Sequence, residues 1–381
     1  MRRYMEIVIL FGIVSMFADI TYEGARSVLP QYLGYLGADL AFVGFLGGVG
    51  EFLSYLLRFL SGLISSRYGL LWGLTISGYA LTGFSIAMLS IATTWIYASI
   101  FTIMERMARG LRTPPRDALL SRIAQEGRSG RAFGIHGALD QIGAVVGPSI
   151  AAYTLYLHGF SPMLFLTLSA FSLISVAILI YTRSIYPRDV EITPKRISIG
   201  ILRGPLTRYV ISVSTPALGL VSLFIAIYWV GREDPVLGAI YFIAIQVIQI
   251  VASIALGELY DRLGMKAIYI YYPLVPMIAL GFAVNQLFFL LIGVVLAIED
   301  SIQRAVVGDL ARGRESIAYG YYHLVYGLAS AIGGYIVGYL AQNNMIQYLL
   351  ALSTILSAFG ALILTSIRAE KPGEGIGGEH H

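Results

Sequence analysis

The sequence of 381 residues contains no cysteine and only five histidines. Without thiols the chain cannot form disulfides or supply the cysteine ligands of zinc and iron–sulfur centres, and two of the five histidines end the chain, which argues against a histidine metal cage. Charge is also scarce, because 13% of the residues are charged whereas soluble domains carry roughly 25%. These shortages exclude a disulfide-stapled secreted domain, a disordered chain and an ordinary cytosolic enzyme.

Apolar residues dominate what is present. They make up 57% of the chain, and the mean hydropathy is +0.75. A helix needs about 20 mostly apolar residues to cross a bilayer, and we predict an all-α, multi-pass protein of the cell membrane with twelve such helices. The predicted spans, numbered 1 to 12, are 6–34, 40–66, 69–92, 94–113, 131–157, 161–183, 207–231, 236–260, 265–284, 286–308, 317–341 and 345–367.

Basic residues are distributed unequally between the two sides of these spans. Arg232 is the one basic residue in the six loops on one side, whereas most of the other arginines and lysines lie in or beside the loops and termini of the opposite side. Arg109, Arg112 and Arg116 belong to the second group, around the loop between spans 4 and 5. Because basic loops stay in the cytoplasm, we expect both termini inside. The same bias explains the net charge of +4, so no nucleic-acid partner is expected.

A polar stretch with three prolines separates six spans from the other six. A weak internal repeat supports the division, because Ala132-Phe133-Gly134 in span 5 matches Ala318-Tyr319-Gly320 in span 11. Two parallel halves of this kind are typical of one large class of transporters. The predicted boundaries are 1–183 for the first bundle, 184–206 for a cytoplasmic linker, 207–368 for the second bundle and 369–381 for a cytoplasmic tail.

Both halves carry a glycine-rich motif where their second span reaches the cytoplasm. It reads Gly257-Glu-Leu-Tyr-Asp261-Arg262-Leu-Gly264-Met-Lys266 in the second half and Gly62-Leu-Ile-Ser-Ser66-Arg67-Tyr-Gly69 in the first, where Ser66 replaces the aspartate. Span 4 has Arg106 followed by Gly110, and span 5 has Gly134, Gly143 and Gly147-Pro148. These motifs resemble those of the major facilitator superfamily, and the resemblance covers essentially the whole chain.

Three further segments, 17–23, 109–119 and 130–136, resemble a prokaryotic subgroup of permeases and drug–proton antiporters. The resemblance implies two six-helix bundles around a central cavity lined by spans 1, 4, 7 and 10. It also implies that motif residues hold the cytoplasmic side shut in one conformation and release it in another. The residues assigned to this gating are Gly62, Arg67, Gly69, Gly257, Asp261, Arg262, Gly264, Gly143, Gly147, Pro148, Arg112, Arg116 and Asp117.

Several of these motif residues can also be explained by physical chemistry, without the resemblance. Gly143, Gly147 and the pair Gly334 and Gly338 are expected where helices approach closely, since packing in lipid depends on small residues. Pro148 would kink the helix that contains it. We also expect Asp261 to cap a helix N-terminus and to pair with an arginine.

Ionisable side chains inside the predicted spans form a separate group, and such groups are costly in a bilayer and usually functional. Asp19, Glu23 and Arg26 share one stripe of span 1, and Asp300 and Arg304 have the spacing of a helical pair. The twelve candidates for proton coupling or substrate binding are Asp19, Glu23, Arg26, Glu51, Glu105, Arg106, His136, Asp140, Glu299, Asp300, Arg304 and His323.

Asp19, Glu23 and Asp140 lead the candidates for proton carriers, because a carboxyl group that is cut off from water holds its proton. Arg26 and Arg106 would shift the pKa values of these carboxylates or bind an anionic group of the substrate. With Arg58 included, seven acidic residues stand against four arginines in the spans, which favours a cationic or amphipathic substrate. The alternative role for several of these groups is a structural salt bridge.

The sequence therefore predicts a secondary transporter that works by alternating access and exports a small organic molecule in exchange for protons. An uptake symporter for a sugar or organic acid is one alternative, and a divalent-metal exporter is another. His-Glu-x-x-His, Walker and Gly-x-Ser-x-Gly motifs in a suitable setting are missing, so no enzyme is indicated. We expect a monomer in the lipid bilayer that binds a small-molecule substrate, uses the proton gradient and needs no cofactor.

Overall fold

The chain forms twelve helical spans in a computed structural model that describes residues 2–123, 129–187, 204–311 and 315–367. Spans 1 to 6 are the helices Arg2–Tyr35, Leu40–Tyr68, Leu71–Leu89, Trp95–Ile123, Ser129–His158 and Pro162–Ile185. Spans 8, 11 and 12 are the helices Pro235–Leu263, Glu315–Gln342 and Ile346–Thr365. Eight stretches of the described chain are long and apolar enough to cross a membrane, one of which, Pro235–Phe282, contains spans 8 and 9. The predicted all-α, twelve-span fold is confirmed.

Spans 7, 9 and 10 are built from several pieces. Span 7 consists of the helices Pro205–Ala217 and Leu223–Gly231, which are separated next to Pro216. Pro216 lies in the last turn of the first piece, and residues 218–222 connect it to the second. The pieces of span 9 are Gly264–Ile270, Tyr271–Ala279 and Leu280–Phe282, and those of span 10 are Gln286–Leu290, Leu291–Ile298, Glu299–Gln303 and Arg304–Ala311.

Span 4 is longer than the sequence predicts. The predicted span ends at residue 113, but the helix continues through Pro114 and Pro115 to Ile123. Pro114 leaves the carbonyl of Gly110 without its helical donor, and the Ser61 hydroxyl of span 2 donates a hydrogen bond to that carbonyl at 3.2 Å. A neighbouring helix thus satisfies the backbone group that the proline leaves free, as is usual for prolines in membrane helices.

Several helix ends carry the expected local signals. Asp39 accepts a hydrogen bond from the backbone N–H of Phe42 at 2.7 Å, and Asp234 caps span 8 in the same manner. Gly69 ends span 2 in the left-handed conformation (φ 68°) that glycine adopts without strain. This motif glycine therefore terminates a helix, and its predicted part in gating stays a prediction.

The two halves meet along spans 2 and 11 and along spans 5 and 8. At the outer end of spans 2 and 11, a Cβ atom built on Gly44 would lie 2.2 Å from the carbonyl oxygen of Gly334. Glycine is required there because any side chain would collide with the backbone of the other half. The predicted linker and tail fall mostly on residues 188–203 and 368–381, outside the described residues, so the predicted domain boundaries stay a prediction.

Candidate functional site

A cavity of about 710 Å³ lies between the two halves. Spans 1, 2, 4 and 5 form one side of it, and spans 7, 8, 10 and 11 form the other. The cavity brings together nine of the twelve candidate residues for proton coupling or substrate binding: Asp19, Glu23, Arg26, Glu51, Arg106, Asp140, Glu299, Asp300 and Arg304. The predicted cavity helices 1, 4, 7 and 10 all contribute to the lining.

The other three candidates lie outside the cavity lining. Glu105 is buried, and its Oε2 is 3.9 Å from Nε of Arg106. His136 is also buried, with its Nε2 at 3.5 Å from the hydroxyl oxygen of Ser15. His323 stacks on the ring of Tyr55, with 3.9 Å between ring centroids, and so joins span 11 to span 2. These positions suit packing and positioning roles better than direct contact with a substrate.

Tyr22 of span 1 is surrounded by three guanidinium groups. Its hydroxyl accepts hydrogen bonds from Arg106 and, at 2.5 Å, from Nη1 of Arg109. The guanidinium carbons of Arg26, Arg106 and Arg109 lie between 4.2 and 5.9 Å from the centre of its ring, within the range of cation–π attraction. Oε1 of Glu51 accepts from Arg106 at 3.0 Å and from Arg26 at 3.3 Å. One carboxylate of span 2 is therefore shared by two arginines of other spans.

Asp19 and Asp140 occupy the contact between spans 1 and 5. A Cβ atom built on Gly143 would lie 2.4 Å from the carbonyl oxygen of Met16 and 3.0 Å from Cβ of Asp19, so the two backbones are very close. Asp140 lies one helical turn before Gly143 and is an electrostatic neighbour of Asp19. Oδ1 of Asp140 is buried without a hydrogen-bond partner, and the ion pair of Asp19 with Arg112 is long, at 4.0 Å. Both carboxylates border the cavity with weak pairing.

Arg109, Arg112 and Arg116 do not belong to a solvated cytoplasmic fringe, and this part of the prediction is wrong. All three line the cavity, and Arg112 is buried. Their spacing of three and four residues places them on one face of span 4, which remains helical past the prolines. Arg112 donates to the Thr82 hydroxyl at 2.9 Å, and Arg116 pairs with Asp117 at 2.8 Å.

These arginines change the charge balance of the site. The described cavity lining has seven acidic side chains and seven arginines, whereas the sequence count gives an acidic excess. The acids are Asp19, Glu23, Glu51, Asp117, Asp140, Glu299 and Asp300, and the arginines are Arg26, Arg58, Arg106, Arg109, Arg112, Arg116 and Arg304. A site with both charges in equal number does not favour a cation over a zwitterion or an acid.

Span 10 presents its charges on a widened helical turn, Glu299–Gln303, with π-type hydrogen bonding. Such turns frequently mark functional sites. Asp300 pairs with Arg304 at 2.9 Å, as their spacing predicts, and accepts a hydrogen bond from the Gln249 amide at 2.8 Å. Glu299 accepts a hydrogen bond from the Tyr326 hydroxyl of span 11. The second half thus contributes two carboxylates that are tied to spans 8 and 11.

The predicted close contacts of the motif glycines are confirmed. A Cβ atom on Gly147 would lie 2.4 Å from the carbonyl oxygen of Ile20, and one on Gly338 would lie 2.5 Å from that of Leu40. Pro148 is buried within span 5. These glycines allow helices to touch through their backbones, which is separate from the gating predicted for them.

The glycine-rich motifs at the cytoplasmic ends differ from the expectation in one respect. Asp261 is exposed in the last turn of span 8, at a helix C-terminus, and forms no ion pair with any described residue. Arg262 pairs with Glu258 instead, because the two are four residues apart on the same helix. Arg67 lies over the ring of its neighbour Tyr68. The gating roles of these residues and of Gly62, Gly257 and Gly264 stay predictions.

Three residues of the cavity lining, Tyr55, Arg58 and Arg109, were not among the candidates derived from the sequence, and neither was the buried Tyr22 beside them. Arg58 lies seven residues after Glu51, on the same helix face, and the sequence analysis counted it among the charges in the spans without naming it a candidate. Arg109 lies three residues after Arg106, so helical spacing from a charged candidate would have indicated it. The tyrosines carry no comparable signal in a chain with 26 of them.

Comparisons with known proteins agree with this architecture. Residues 11–298 match the family model of the Major Facilitator Superfamily. Uncharacterized protein Rv2265 of Mycobacterium tuberculosis is 31% identical over 356 residues, which cover 87% of this chain and 86% of that protein. Uncharacterized MFS-type transporter MJ1317 of Methanocaldococcus jannaschii is 27% identical over 384 residues, which cover 95% of each chain.

Solved structures extend the likeness to the three-dimensional fold. The nucleoside transporter NupG superposes with a TM-score of 0.71 at 13% identity, over 95% of this chain and 98% of its own. An auto-inhibited peptide transporter of the POT family superposes with a TM-score of 0.74 at 11% identity, over 97% and 99% of the two chains. At these identities the likeness concerns the fold alone.

Proposed function

This chain belongs to the Major Facilitator Superfamily, and on that premise we propose that it exports a small amphipathic organic molecule in exchange for protons. Membership makes it a secondary transporter in the cell membrane and not an enzyme, which confirms the resemblance read from the motifs. The proton exchange, the direction and the substrate are our proposal, as are its action as a monomer, the use of the proton gradient and the lack of any cofactor.

The observation that carries the proposal is the pair of Asp19 and Asp140 at the contact of spans 1 and 5. Two carboxylates beside each other repel when both are charged, so one proton shared between them lowers their energy. Asp140 has an unpartnered buried oxygen, and Asp19 has only a long ion pair. Neither group is locked into a structural salt bridge, so both remain free to exchange protons.

Alternating access supplies the two environments that such a carrier needs. In this structure the outer ends of the halves are closed at Gly44 and Gly334, while the cavity reaches the inner part of span 4 at Arg116 and Asp117. Opening the outer end requires the halves to separate there and to approach each other near the inner end. Asp19 and Asp140 would then exchange protons with one side in each conformation.

The substrate class follows from the lining. Charged residues of both signs surround the cavity, and Tyr55, Tyr326 and Phe224 add aromatic surface. An amphipathic molecule with at least one charge fits this combination. The sequence also allowed a purely cationic substrate because it counts more acidic residues than arginines in the spans. The cavity lining has equal numbers of both, so this argument for a cation no longer applies.

The polarity of a pH gradient separates export by antiport from uptake by symport. Purified protein in liposomes is screened against organic cations, zwitterions and acids. An antiporter accumulates substrate when the lumen is acidic, because protons leave as substrate enters, whereas a symporter accumulates substrate when the outside is acidic. Accumulation in acidic-lumen vesicles, abolished by a proton ionophore, supports the proposal, and accumulation with only the opposite gradient contradicts it.

The divalent-metal alternative has less support. Within the ranges that the structure describes, no group of three or more histidine, cysteine, aspartate or glutamate side chains is placed to hold a metal ion. His136, the histidine nearest to the leading carboxylates in sequence, lies outside the cavity lining.

A further inference from the structure

We propose that Arg58 and Arg109 form a binding site for an anionic group, a carboxylate or phosphate, of the transported molecule. The proposal deepens the function proposed above by naming a chemical feature of the substrate, and it rests on that function only in taking the ligand as the cargo.

Ion pairing distinguishes these two arginines from the other five in the cavity. In each of the other five, a guanidinium nitrogen lies within 4.0 Å of a carboxylate oxygen. These five are Arg26, Arg106, Arg112, Arg116 and Arg304. Arg58 and Arg109 have none among the described residues. Glu51, which acts electrostatically on both, already accepts from Arg26 and Arg106.

Aromatic rings hold the two guanidinium groups while leaving most of their donors free. The guanidinium carbon of Arg109 lies 4.2 Å from the centre of the Tyr22 ring, and its Nη1 donates to the Tyr22 hydroxyl at 2.5 Å. That of Arg58 lies 5.2 Å from the centre of the Tyr55 ring, and its buried Nε has no hydrogen-bond partner. A guanidinium has five N–H donors, so both groups can still bind a ligand.

The two charges are also close enough to act on each other. Spans 2 and 4 touch beside them, because a Cβ atom built on Gly110 would lie 2.9 Å from Cβ of Leu57. The charges of Arg109 and of Arg304 from the second half both act on Arg58. Like charges confined in a site of low dielectric repel, and an anion between them would remove this cost. Carboxylate and phosphate oxygens match the planar fork of arginine and accept two parallel hydrogen bonds from it.

The test uses purified protein in detergent, without any gradient. Its thermal unfolding midpoint is followed in titrations with sodium benzoate and inorganic phosphate at constant ionic strength, since salt screens such contacts. Benzamide and benzylamine serve as neutral and cationic probes. A ligand that binds the folded state raises the midpoint. We expect saturable stabilisation by benzoate or phosphate and none by the other two probes.

Variants then locate the site. Arg58→Gln and Arg109→Gln should each need about tenfold more anion for the same stabilisation, the scale of a lost hydrogen bond to a charged group. Arg232→Gln, in an exposed pair on the outer side, should respond like the wild type. If a glutamine variant fails to fold, Arg58→Lys and Arg109→Lys keep the charge without the fork, and their response should be intermediate.

Equal anion responses in the wild type and in Arg58→Gln and Arg109→Gln would overturn the proposal, as would stabilisation by benzylamine alone. Failure of the anion-site proposal is distinguishable from failure of the proposed proton coupling. Anion binding is measured at equilibrium without a pH gradient, whereas coupling is measured by gradient-driven accumulation, so either result can be negative while the other is positive.

Discussion

Glu51 of span 2 accepts a hydrogen bond from Arg106 of span 4 at 3.0 Å, and the same oxygen accepts a second one from Arg26 of span 1 at 3.3 Å. Arg106 is almost fully buried, while the Glu51 side chain keeps 29% of its surface exposed to the cavity. One carboxylate thus pairs with two arginines and ties three helices of the first half together.

Glu51→Gln should destabilise the protein. The amide keeps one acceptor oxygen but loses the charge, which leaves two neighbouring guanidinium groups with less compensation. We expect a loss of about 2 kcal/mol, the scale of one hydrogen bond to a charged group, and a lower thermal unfolding midpoint in detergent. Glu233→Gln is the matched control, because Glu233 is 87% exposed in a 3.9 Å pair with Arg232, and such surface pairs add little. Equal midpoints for the two variants would show that the shared carboxylate is not structural.

Tyr22 should stabilise the folded protein through both its ring and its hydroxyl. Tyr22→Phe keeps the ring under three guanidinium groups but removes the acceptor for Arg106 and Arg109, and Tyr22→Leu removes both. Cation–π contacts are worth about 0.5–2 kcal/mol each, so we expect Tyr22→Leu to lower the thermal midpoint more than Tyr22→Phe does. If the two variants behave alike, the ring contacts contribute nothing measurable.

The charge pairs within one helix of the cavity can be predicted from the sequence, whereas the pairs between helices cannot. The stripe of Asp19, Glu23 and Arg26 and the pair of Asp300 with Arg304 can be read from helical spacing within one helix. The partners of Glu51 cannot, because Arg58 shares its helix face while the arginines that pair with it come from spans 1 and 4. Contacts between helices depend on rotation and depth, which one helix alone does not specify.

Span 4 shows a second limit of sequence-based prediction. Two consecutive prolines usually indicate a helix end, yet span 4 continues through Pro114 and Pro115, past its predicted end at residue 113. The helix continues because Ser61 of another span satisfies the carbonyl of Gly110. A local rule fails here because a distant residue supplies the missing hydrogen bond.

Gly44→Val should open the outer end of the transporter. Even a Cβ atom at this position would lie 2.2 Å from the carbonyl oxygen of Gly334, so the closed contact between spans 2 and 11 cannot form. The chain has no cysteine, which allows Ser330→Cys in the cavity lining to be labelled without background. We expect faster labelling by an impermeant maleimide added from outside when Gly44→Val is present.

Gly73→Val is the control for this experiment, because no described atom lies within 4 Å of a Cβ atom built there. Ser330→Cys combined with Gly73→Val should label at the rate of Ser330→Cys alone. Unchanged labelling in the Gly44→Val background would mean that this glycine contact does not close the outer end.

Chelation should leave transport intact. Since the described residues hold no group of three metal-ligating side chains, we expect EDTA to have no effect on gradient-driven accumulation. Calorimetric titration with Zn²⁺ or Mn²⁺ should give no saturable binding. Saturable binding that is lost in Asp19→Asn would instead favour the metal exporter.

The proposal that Asp19 and Asp140 carry the exchanged protons is tested most directly in liposomes that contain a pH-sensitive dye, with no initial gradient and with a substrate identified in the gradient screen. Substrate added outside should raise the lumenal pH with wild-type protein and with Asp234→Asn, whose asparagine still caps span 8. Asp19→Asn and Asp140→Asn should give no pH change while still exchanging labelled for unlabelled substrate. Proton flux at the wild-type rate in both aspartate variants would contradict the assignment of the carrier.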